Sequence, residues 1–175
     1  MDKQITGYKQ VGEKRYRETI GLYFEDFEVG DVFEHRPGRT LTEVDNIWQS
    51  LICLNTHPLH IDSAYGRKTE FKQTLMSSLV TLAIVGGMSV RSTSGKAIAN
   101  LGWDKVRLTA PVFVGDTIYA DSEVLHARLS SSRPNQGVVT VRTRGLKEDG
   151  TVFMTYERTF LVPTRGHGIE EEANY

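Results

Sequence analysis

Cysteine is nearly absent from this sequence, because Cys53 is the only one among 175 residues. A single thiol excludes an internal disulfide and a metal site of the Cys-x-x-Cys kind. The scarcity of cysteine therefore predicts a reducing, cytoplasmic environment. Apolar side chains flank Cys53, so we expect a buried and unreactive thiol rather than a nucleophile.

Long apolar runs and an excess of one charge are also missing. No stretch approaches the ~20 apolar residues that span a bilayer, and no apolar segment follows the basic residues near the N-terminus. The pattern thus predicts neither a membrane anchor nor a signal peptide. The 21 basic and 22 acidic residues leave a net charge of −1. This balance provides no overall positive field for nucleic acid or an anionic membrane.

The composition, 39% hydrophobic and 25% charged, is typical of a globular protein, and 175 residues suffice for one buried core. The first 20 residues are polar and without periodicity, and the last stretch contains glycine and acidic side chains. We therefore predict an N-terminal arm over residues 1–20, a single domain over residues 21–163 and a C-terminal tail over residues 164–175.

Two helical patterns occupy the first half of the domain. Thr42 and Asp45 have the spacing of an N-terminal capping box, and the apolar residues after them predict an amphipathic helix that ends near Leu54. Residues 77–89 are apolar on nearly every face, which predicts a helix buried on most sides. The two glycines at 86 and 87 would let a neighbouring segment approach this helix closely.

An alternating pattern replaces the helical one in the second half. It predicts strands over residues 98–108, 118–125, 138–146 and 151–162, in addition to an earlier extended stretch, residues 32–41, that Pro37-Gly38 breaks. A buried helix with about five antiparallel strands predicts an α+β fold whose sheet curls around the helix. Because such a sheet has an open edge, we expect it to pair with a second copy in a homodimer.

The stretch with the richest chemistry is residues 55–60, Asn-Thr-His-Pro-Leu-His. Pro58 prevents a regular helix that would place both imidazoles on one face, and only Asp62 lies at a further ligand spacing, so we expect no metal site. His60 lies in a break between helices and shortly before the N-terminus of the buried helix, where backbone N–H groups favour negative charge. This context favours proton transfer over the alternative of a core histidine.

These residues resemble a known family. The Pro-Leu-His-x-Asp core at residues 58–62 and the Pro-Val-Phe-Val-Gly-Asp turn at residues 111–116 are similar to the MaoC-like branch of the (R)-specific enoyl-CoA hydratases. Residues 42–54 and 71–78 share in the likeness, which covers roughly residues 25–162. The resemblance implies a hot-dog fold, in which a curved antiparallel sheet wraps a central helix and carries a helical overhang.

The resemblance also implies roles for particular residues. The family uses an aspartate and a histidine for proton transfer and a backbone N–H as the oxyanion donor; these positions correspond to Asn55, His60 and Ser78. An amide has no useful basicity, so Asn55 is expected to position water while His60 acts alone or with Asp45, Asp62 or His57. Two further departures are a Ser-Ser pair where the family has His-Gly, and Gly86 where it has a helix serine.

The substrate implied by the resemblance is an enoyl-CoA, with no cofactor and no metal. A subset of the family shares the form of residues 55–60 and the segment 100–104, and acts on branched or dicarboxylic C4–C5 acyl-CoAs such as mesaconyl- and itaconyl-CoA. The residues expected to contact the acyl group are Thr56, His57, Ser77 and Trp103. Those expected to meet the coenzyme A phosphates are Arg128 and Arg133, with Lys105.

The sequence thus predicts a hydro-lyase that hydrates an enoyl-CoA reversibly. Two alternatives stay open on the same fold. An acyl-CoA thioesterase would release free thiol, and a non-catalytic acyl-CoA-binding or regulatory protein would bind the thioester without turnover. Asn55 makes the second alternative credible, since the usual catalytic carboxylate is replaced by an amide.

Overall fold

The computed structural model of the protein describes residues 5–170 and 172–175. The strands are β1 (Tyr8–Gly12), β2 (Arg15–Glu18), β3 (Val32–Thr40), β4 (Ala99–Leu108), β5 (Thr117–Leu129), β6 (Gln136–Lys147) and β7 (Val152–Pro163). The α-helices are α1 (Glu43–Ile52), α2 (Pro58–Ile61), α3 (Ser63–Gly66) and α4 (Ser78–Ser92). Single 3-10 turns lie at Phe24–Asp26 and Ser94–Lys96.

Five strands form one antiparallel sheet in the order β3-β5-β6-β7-β4. Helix α4 packs against this sheet, and its Val80 and Val85 lie in a core with Ile118, Phe153 and Tyr156. The predicted α+β architecture, with about five strands and one central helix, is therefore confirmed. Strand β4 forms one edge of the sheet and β3 the other.

The N-terminal arm is more regular than its sequence suggested. Strands β1 and β2 form a separate antiparallel hairpin. The following segment is tied to the end of α4, because the Gly21 N–H donates to the Arg91 carbonyl at 2.8 Å and Glu18 pairs with Arg91. Residues 1–4 of the arm and residue 171 of the tail lie outside the described residues. Among the described residues, no helix has the length and apolar character to cross a membrane.

The predicted break at Pro37-Gly38 is wrong, because β3 runs through it. The register of the pairing between β3 and β5 shifts between His35 and Arg39, so Pro37 and Gly38 lie in a bulge inside β3. A Cβ atom on Gly38 would lie 2.3 Å from the Tyr119 ring. Glycine is therefore required at this bulge by the space that Tyr119 occupies.

One expectation about burial is wrong. Cys53 is exposed, because it follows α1, whose apolar side chains Val44, Trp48 and Ile52 face solvent. Helix α4 is covered on most sides, as predicted, but one side that carries Leu79 and Val90 is open, and these residues are 48% and 41% exposed. Apolar patterning identifies the face that tends to be covered, but this chain alone does not supply the covering surface.

A buried polar chain runs through the sheet beneath α4. His35 is fully buried; its Nδ1 lies 2.7 Å from Ser92 Oγ and its Nε2 lies 2.8 Å from Ser122 Oγ. Ser122 Oγ in turn lies 2.7 Å from Thr143 Oγ1. Burial lowers the pKa of His35 from its ordinary value of 6.5 to about 4; Asp121 opposes this shift and Arg36 adds to it.

We expect stability to fall as the pH drops from 6.5 towards 4. The unfolded chain binds a proton at His35 more readily than the native protein does. The free energy of unfolding therefore keeps its full value above pH 6.5 and falls below that pH, by up to about 3 kcal/mol. Urea unfolding at a series of pH values checks this expectation. His35→Gln, which cannot ionise, should flatten the dependence between pH 7 and 5. The same slope in both proteins would contradict it.

Candidate active site

Helix α1 anchors the site through one buried amide. The capping box predicted at its start is present, since Asp45 N–H donates to Thr42 Oγ1 and Thr42 N–H donates to Asp45 Oδ2. One turn later Asn46 is 1% exposed. Its Nδ2 donates to the carbonyls of His60 (2.8 Å) and Leu75 (3.0 Å), and its Oδ1 accepts from the Ser77 N–H (2.8 Å). Asn46 therefore joins α1, the histidine segment and the start of α4.

The histidine segment is held by capping at each step. His57 is the N-cap of α2, where its Nδ1 accepts from the Leu59 N–H at 3.1 Å, and Pro58 takes the first helical position. Asp62 ends α2 and caps α3, because its Oδ1 accepts from the N–H groups of Ala64 and Tyr65. The short helices therefore fix the direction in which both imidazoles point.

His60 is held in one tautomer by its surroundings. Its Nδ1 lies 2.8 Å from the Leu75 carbonyl, which can only accept, so Nδ1 carries the hydrogen and Nε2 keeps its lone pair. The same carbonyl accepts the bond from Asn46. In its neutral form, His60 thus offers a proton acceptor at Nε2.

Asn55 is half-buried, and its carboxamide is oriented by two contacts. Its Oδ1 accepts from the His57 N–H at 3.3 Å, and its Nδ2 donates to Ser77 Oγ at 3.3 Å. Because the oxygen faces the backbone, the remaining amide hydrogen is the group that a water or substrate oxygen could meet. Asn55 is therefore suited to position a water or substrate molecule, and it does not act as a proton acceptor.

The N-terminus of α4 supplies a backbone donor. Ser77 is its N-cap, is 1% exposed and makes no side-chain capping bond. The Ser78 N–H belongs to the first turn, which has no intrahelical acceptor, and no bond to it occurs among the described residues. The positive end of the helix dipole favours an oxyanion at this position.

His60 and Ser78 line a common cavity of about 390 Å³. Its remaining walls are mostly apolar and come from the segment before α4, the end of β4, the turn after β4 and the start of β7: Phe71, Leu75, Met76, Thr81, Leu108, Thr109, Ala110, Pro111, Val112 and Phe153. The turn is fixed by Asp116, whose Oδ2 accepts from the Phe113 N–H at 2.9 Å, and by Leu41 N–H, which donates to the Asp116 carbonyl. This arrangement accounts for the Pro-Val-Phe-Val-Gly-Asp pattern.

The other predicted site residues lie outside this cavity to different degrees. Thr56 and His57 are exposed beside it, with the His57 ring centre 5.8 Å from that of His60. Arg128 and Arg133 are exposed at the β5–β6 hairpin, more than about 30 Å along β5 from the turn that lines the cavity. Lys105 pairs with Glu157 at 3.1 Å. The structure therefore places Arg128 and Arg133 away from the cavity and engages Lys105 in an ion pair.

Trp103 lies against α4 and away from the cavity. Its ring centre is 4.7 Å from that of Tyr156 and 5.3 Å from the Arg158 guanidinium carbon. A Cβ atom on Gly86 would lie 3.0 Å from the tip of the indole. The indole of Trp103 therefore takes the space into which a side chain at position 86 would extend, which explains glycine at the position of the family's helix serine.

A larger cavity, about 870 Å³, lies at the opposite end of α4, between the N-terminal hairpin and the C-terminal tail. None of the predicted site residues lines it. Four of its charged side chains pair with one another, Lys96 with Glu170 at 3.2 Å and Arg165 with Asp26. We therefore place the candidate active site in the smaller cavity, whose walls include both His60 and Ser78. In the described part of the chain, no three His, Cys, Asp or Glu side chains cluster as metal ligands.

The sheet order, the central helix and the overhang of α1 to α3 define a hot-dog fold of the MaoC-like kind. A double hot-dog protein from Mycobacterium tuberculosis superimposes with a TM-score of 0.76 at 26% identity, and the match covers 84% of this chain and 46% of that one. The fold expected from the sequence is thereby confirmed.

Residues 4–173 match the family model described as mesaconyl-CoA hydratase. The chain belongs to this family. It is 32% identical over 145 residues to a mesaconyl-CoA hydratase of Cereibacter sphaeroides and 31% identical over 145 residues to a beta-methylmalyl-CoA dehydratase of Chloroflexus aurantiacus. Each match covers 83% of this chain but only 42% and 41% of the relative. The chain therefore spans less than half the length of these curated relatives.

Proposed function

We propose that this protein adds water reversibly to an enoyl-CoA whose short acyl group carries a second carboxylate, as in mesaconyl-CoA. The orientation of His60 carries the proposal: its Nδ1–H is committed to the Leu75 carbonyl, so Nε2 keeps a basic lone pair, and His60 lines the same cavity as Ser78. Hydration of a conjugated thioester requires such a proton acceptor together with an oxyanion donor. The names of the family and of its relatives support the substrate class.

The reaction needs two proton transfers. His60 Nε2 takes a proton from water as the water oxygen bonds to the β-carbon, and the π electrons move onto the thioester oxygen, where the Ser78 N–H stabilises the enolate. The imidazolium keeps its Nδ1–H bond to Leu75 and then gives the Nε2 proton to the α-carbon. One water is consumed, and His60 returns to its neutral form.

Asn55 assists by orientation alone. Its free amide hydrogen donates to the water oxygen and directs a lone pair towards the β-carbon. His60 then serves as base and acid in turn. This assignment leaves Asp45 and Asp62 to their capping bonds on α1 and α3.

A panel of acyl-CoAs tests the proposed function. Crotonyl-, mesaconyl- and itaconyl-CoA are incubated with the protein, and mass spectrometry follows the gain of one water. Gain of water on the intact thioester supports hydration. Release of free thiol would indicate a thioesterase, and tight binding without turnover would indicate a non-catalytic acyl-CoA-binding protein; either result alone contradicts the proposal.

We also propose that the working form is a homodimer built on the β4 edge. Exposed apolar side chains cover this edge and the adjoining face of α4: Leu79, Val90, Ile98, Leu101, Trp103 and Leu108. Leu108 and Thr109, at the end of β4, also line the His60 cavity, so a partner on this edge would help to close it. The larger size of the relatives leaves room for a second unit of similar length within one chain.

Light scattering tests the dimer. The wild-type protein should have twice the 19.7 kDa mass of the chain, and Leu101→Asp should shift it to the monomer, because an aspartate on this edge strand would be desolvated in the interface. Val29→Asp is the matched control, since Val29 is an equally exposed apolar residue in a turn outside this face. A monomeric wild-type protein, or a dimer that survives Leu101→Asp, contradicts this interface.

The exposed thiol of Cys53 supports a reducing location. We propose that the protein works in the cytoplasm.

A further inference from the structure

His57 is held in the tautomer opposite to that of His60. Its Nδ1 accepts from the Leu59 N–H, so in the neutral ring the hydrogen is on Nε2. His60 carries its hydrogen on Nδ1 and its lone pair on Nε2. In both rings the backbone engages Nδ1, which leaves the Nε2 atoms for other partners. The segment therefore presents one acceptor and one donor, side by side.

The His57 donor has no partner within the described chain. Its ring meets Tyr65 edge-on at 6.3 Å and His60 at 5.8 Å, and no hydrogen bond to its Nε2 occurs among the described residues. Asp62, the nearest carboxylate along the chain, directs Oδ1 at the N–H groups of α3. An exposed N–H beside the proposed base is thus available to a substrate oxygen.

The two rings are close enough for a carboxylate on the β-carbon of the acyl group to reach His57. Water held by His60 Nε2 must lie about 3 Å from the β-carbon before attack. A carboxylate on that β-carbon is one bond of about 1.5 Å away. With the His57 ring centre only 5.8 Å from that of His60, the carboxylate oxygens fall within reach of the His57 N–H. A β-methyl group in the same place would offer that N–H no acceptor.

We propose that His57 is the specificity-determining residue that recognises a carboxylate on the β-carbon of the acyl thioester. The inference rests on the proposed function, because it takes His60 as the site of water activation. It assigns the donor to the Nε2–H of a neutral imidazole, whose orientation the α2 cap fixes. A hydrogen bond to a charged group typically changes affinity by about 10- to 100-fold.

The test uses two saturated thioesters that cannot be hydrated. Succinyl-CoA and butyryl-CoA carry a carboxylate and a methyl group, respectively, on the same carbon. Calorimetry should show that the wild-type protein binds succinyl-CoA at least tenfold more tightly. His57→Ser should abolish the preference, since serine retains the N-cap but lacks the reach of the imidazole. His57→Ala, which also loses the cap, should show the same loss of preference.

A measurement on the unaltered protein complements the variants. Long-range ¹H–¹⁵N spectra should show hydrogen on Nε2 of His57 and on Nδ1 of His60, and succinyl-CoA but not butyryl-CoA should shift the His57 Nε2–H signal. The inference is overturned if the wild-type protein shows no preference or if His57→Ser keeps it. Because these experiments require no turnover, a protein that binds in this way but hydrates nothing would refute the proposed function and not the role of His57.

Discussion

Replacing His60 by alanine is expected to lower kcat for enoyl-CoA hydration about a thousandfold, within the range that a positioned proton-transfer group contributes. The ring is half-buried in a short helix, and its main intramolecular bond is the one from Nδ1 to the Leu75 carbonyl. Truncation should therefore remove the base while the sheet and α4 persist. Initial rates with mesaconyl-CoA, with circular dichroism to check folding, measure the effect.

The control is His126→Ala, which removes an exposed imidazole on β5 and should hydrate at the wild-type rate. Thiol release by the His60 variant should also be followed, since a thioesterase need not lose its activity in the same way. A folded His60→Ala protein that hydrates within a few fold of the wild-type rate would refute the assigned base.

Replacing Asn46 by alanine is expected to have the largest effect on stability. Its amide serves three backbone groups, the carbonyls of His60 and Leu75 and the N–H of Ser77. Truncation leaves the His60 carbonyl and the buried Ser77 N–H without this partner and removes one of the two donors to the Leu75 carbonyl, so we expect the free energy of unfolding to fall by about 3–5 kcal/mol. Hydration should fall as well, because the same amide sets the spacing between His60 and the start of α4.

Ser50→Ala is the matched control on the same helix. Ser50 is as buried as Asn46 and lies one turn later, but its Oγ has no hydrogen-bond partner within residues 5–170 and 172–175, so removing the hydroxyl should leave stability unchanged or raise it. Urea unfolding of both variants gives the comparison. If Asn46→Ala were no more destabilising than Ser50→Ala, Asn46 would not join the two halves of the site.

Local signals predicted much of the fold. The Thr42–Asp45 capping box and the apolar spacing after it located α1, and period-two alternation located the strands of the sheet. These features depend on neighbours within a few residues, which is the range that sequence patterns report. The Asp116 bond to the Phe113 N–H explains the aspartate at the end of the turn at residues 111–116.

Asn46 was missed because its partners lie far along the chain. The amide is 29 residues from Leu75 and 31 from Ser77, and nothing in its immediate sequence distinguishes it from a polar surface position of α1. A polar residue on the side of α1 away from Val44 and Trp48 would ordinarily face solvent. In this protein the apolar side of α1 is exposed and the amide of Asn46 is buried, so the amphipathic pattern predicted the wrong buried face.

The exposed apolar surfaces have one physical origin. The exposed thiol of Cys53 and the uncovered side of α4 both lie on surfaces whose apolar character is plain in the sequence. Apolar surface is covered either within a chain or by a partner, and pattern alone does not separate the two. The resemblance predicted Ser78, at the N-terminus of α4, as a site residue. The tautomers of His57 and His60 could not be predicted in this way, because they depend on the positions of the Leu59 N–H and the Leu75 carbonyl.

His60 is assigned as the base through which water adds to the double bond of an intact thioester. One reaction tests it most directly: mesaconyl-CoA is incubated with the wild-type protein in ¹⁸O-labelled water, and the acyl-CoA is analysed by mass spectrometry, with His60→Ala in parallel. The account predicts one ¹⁸O in the acyl chain of an intact CoA thioester, formed by the wild-type protein and about a thousandfold more slowly by the variant. Label found only in a free acid released with coenzyme A, or equal labelling by both proteins, would contradict it.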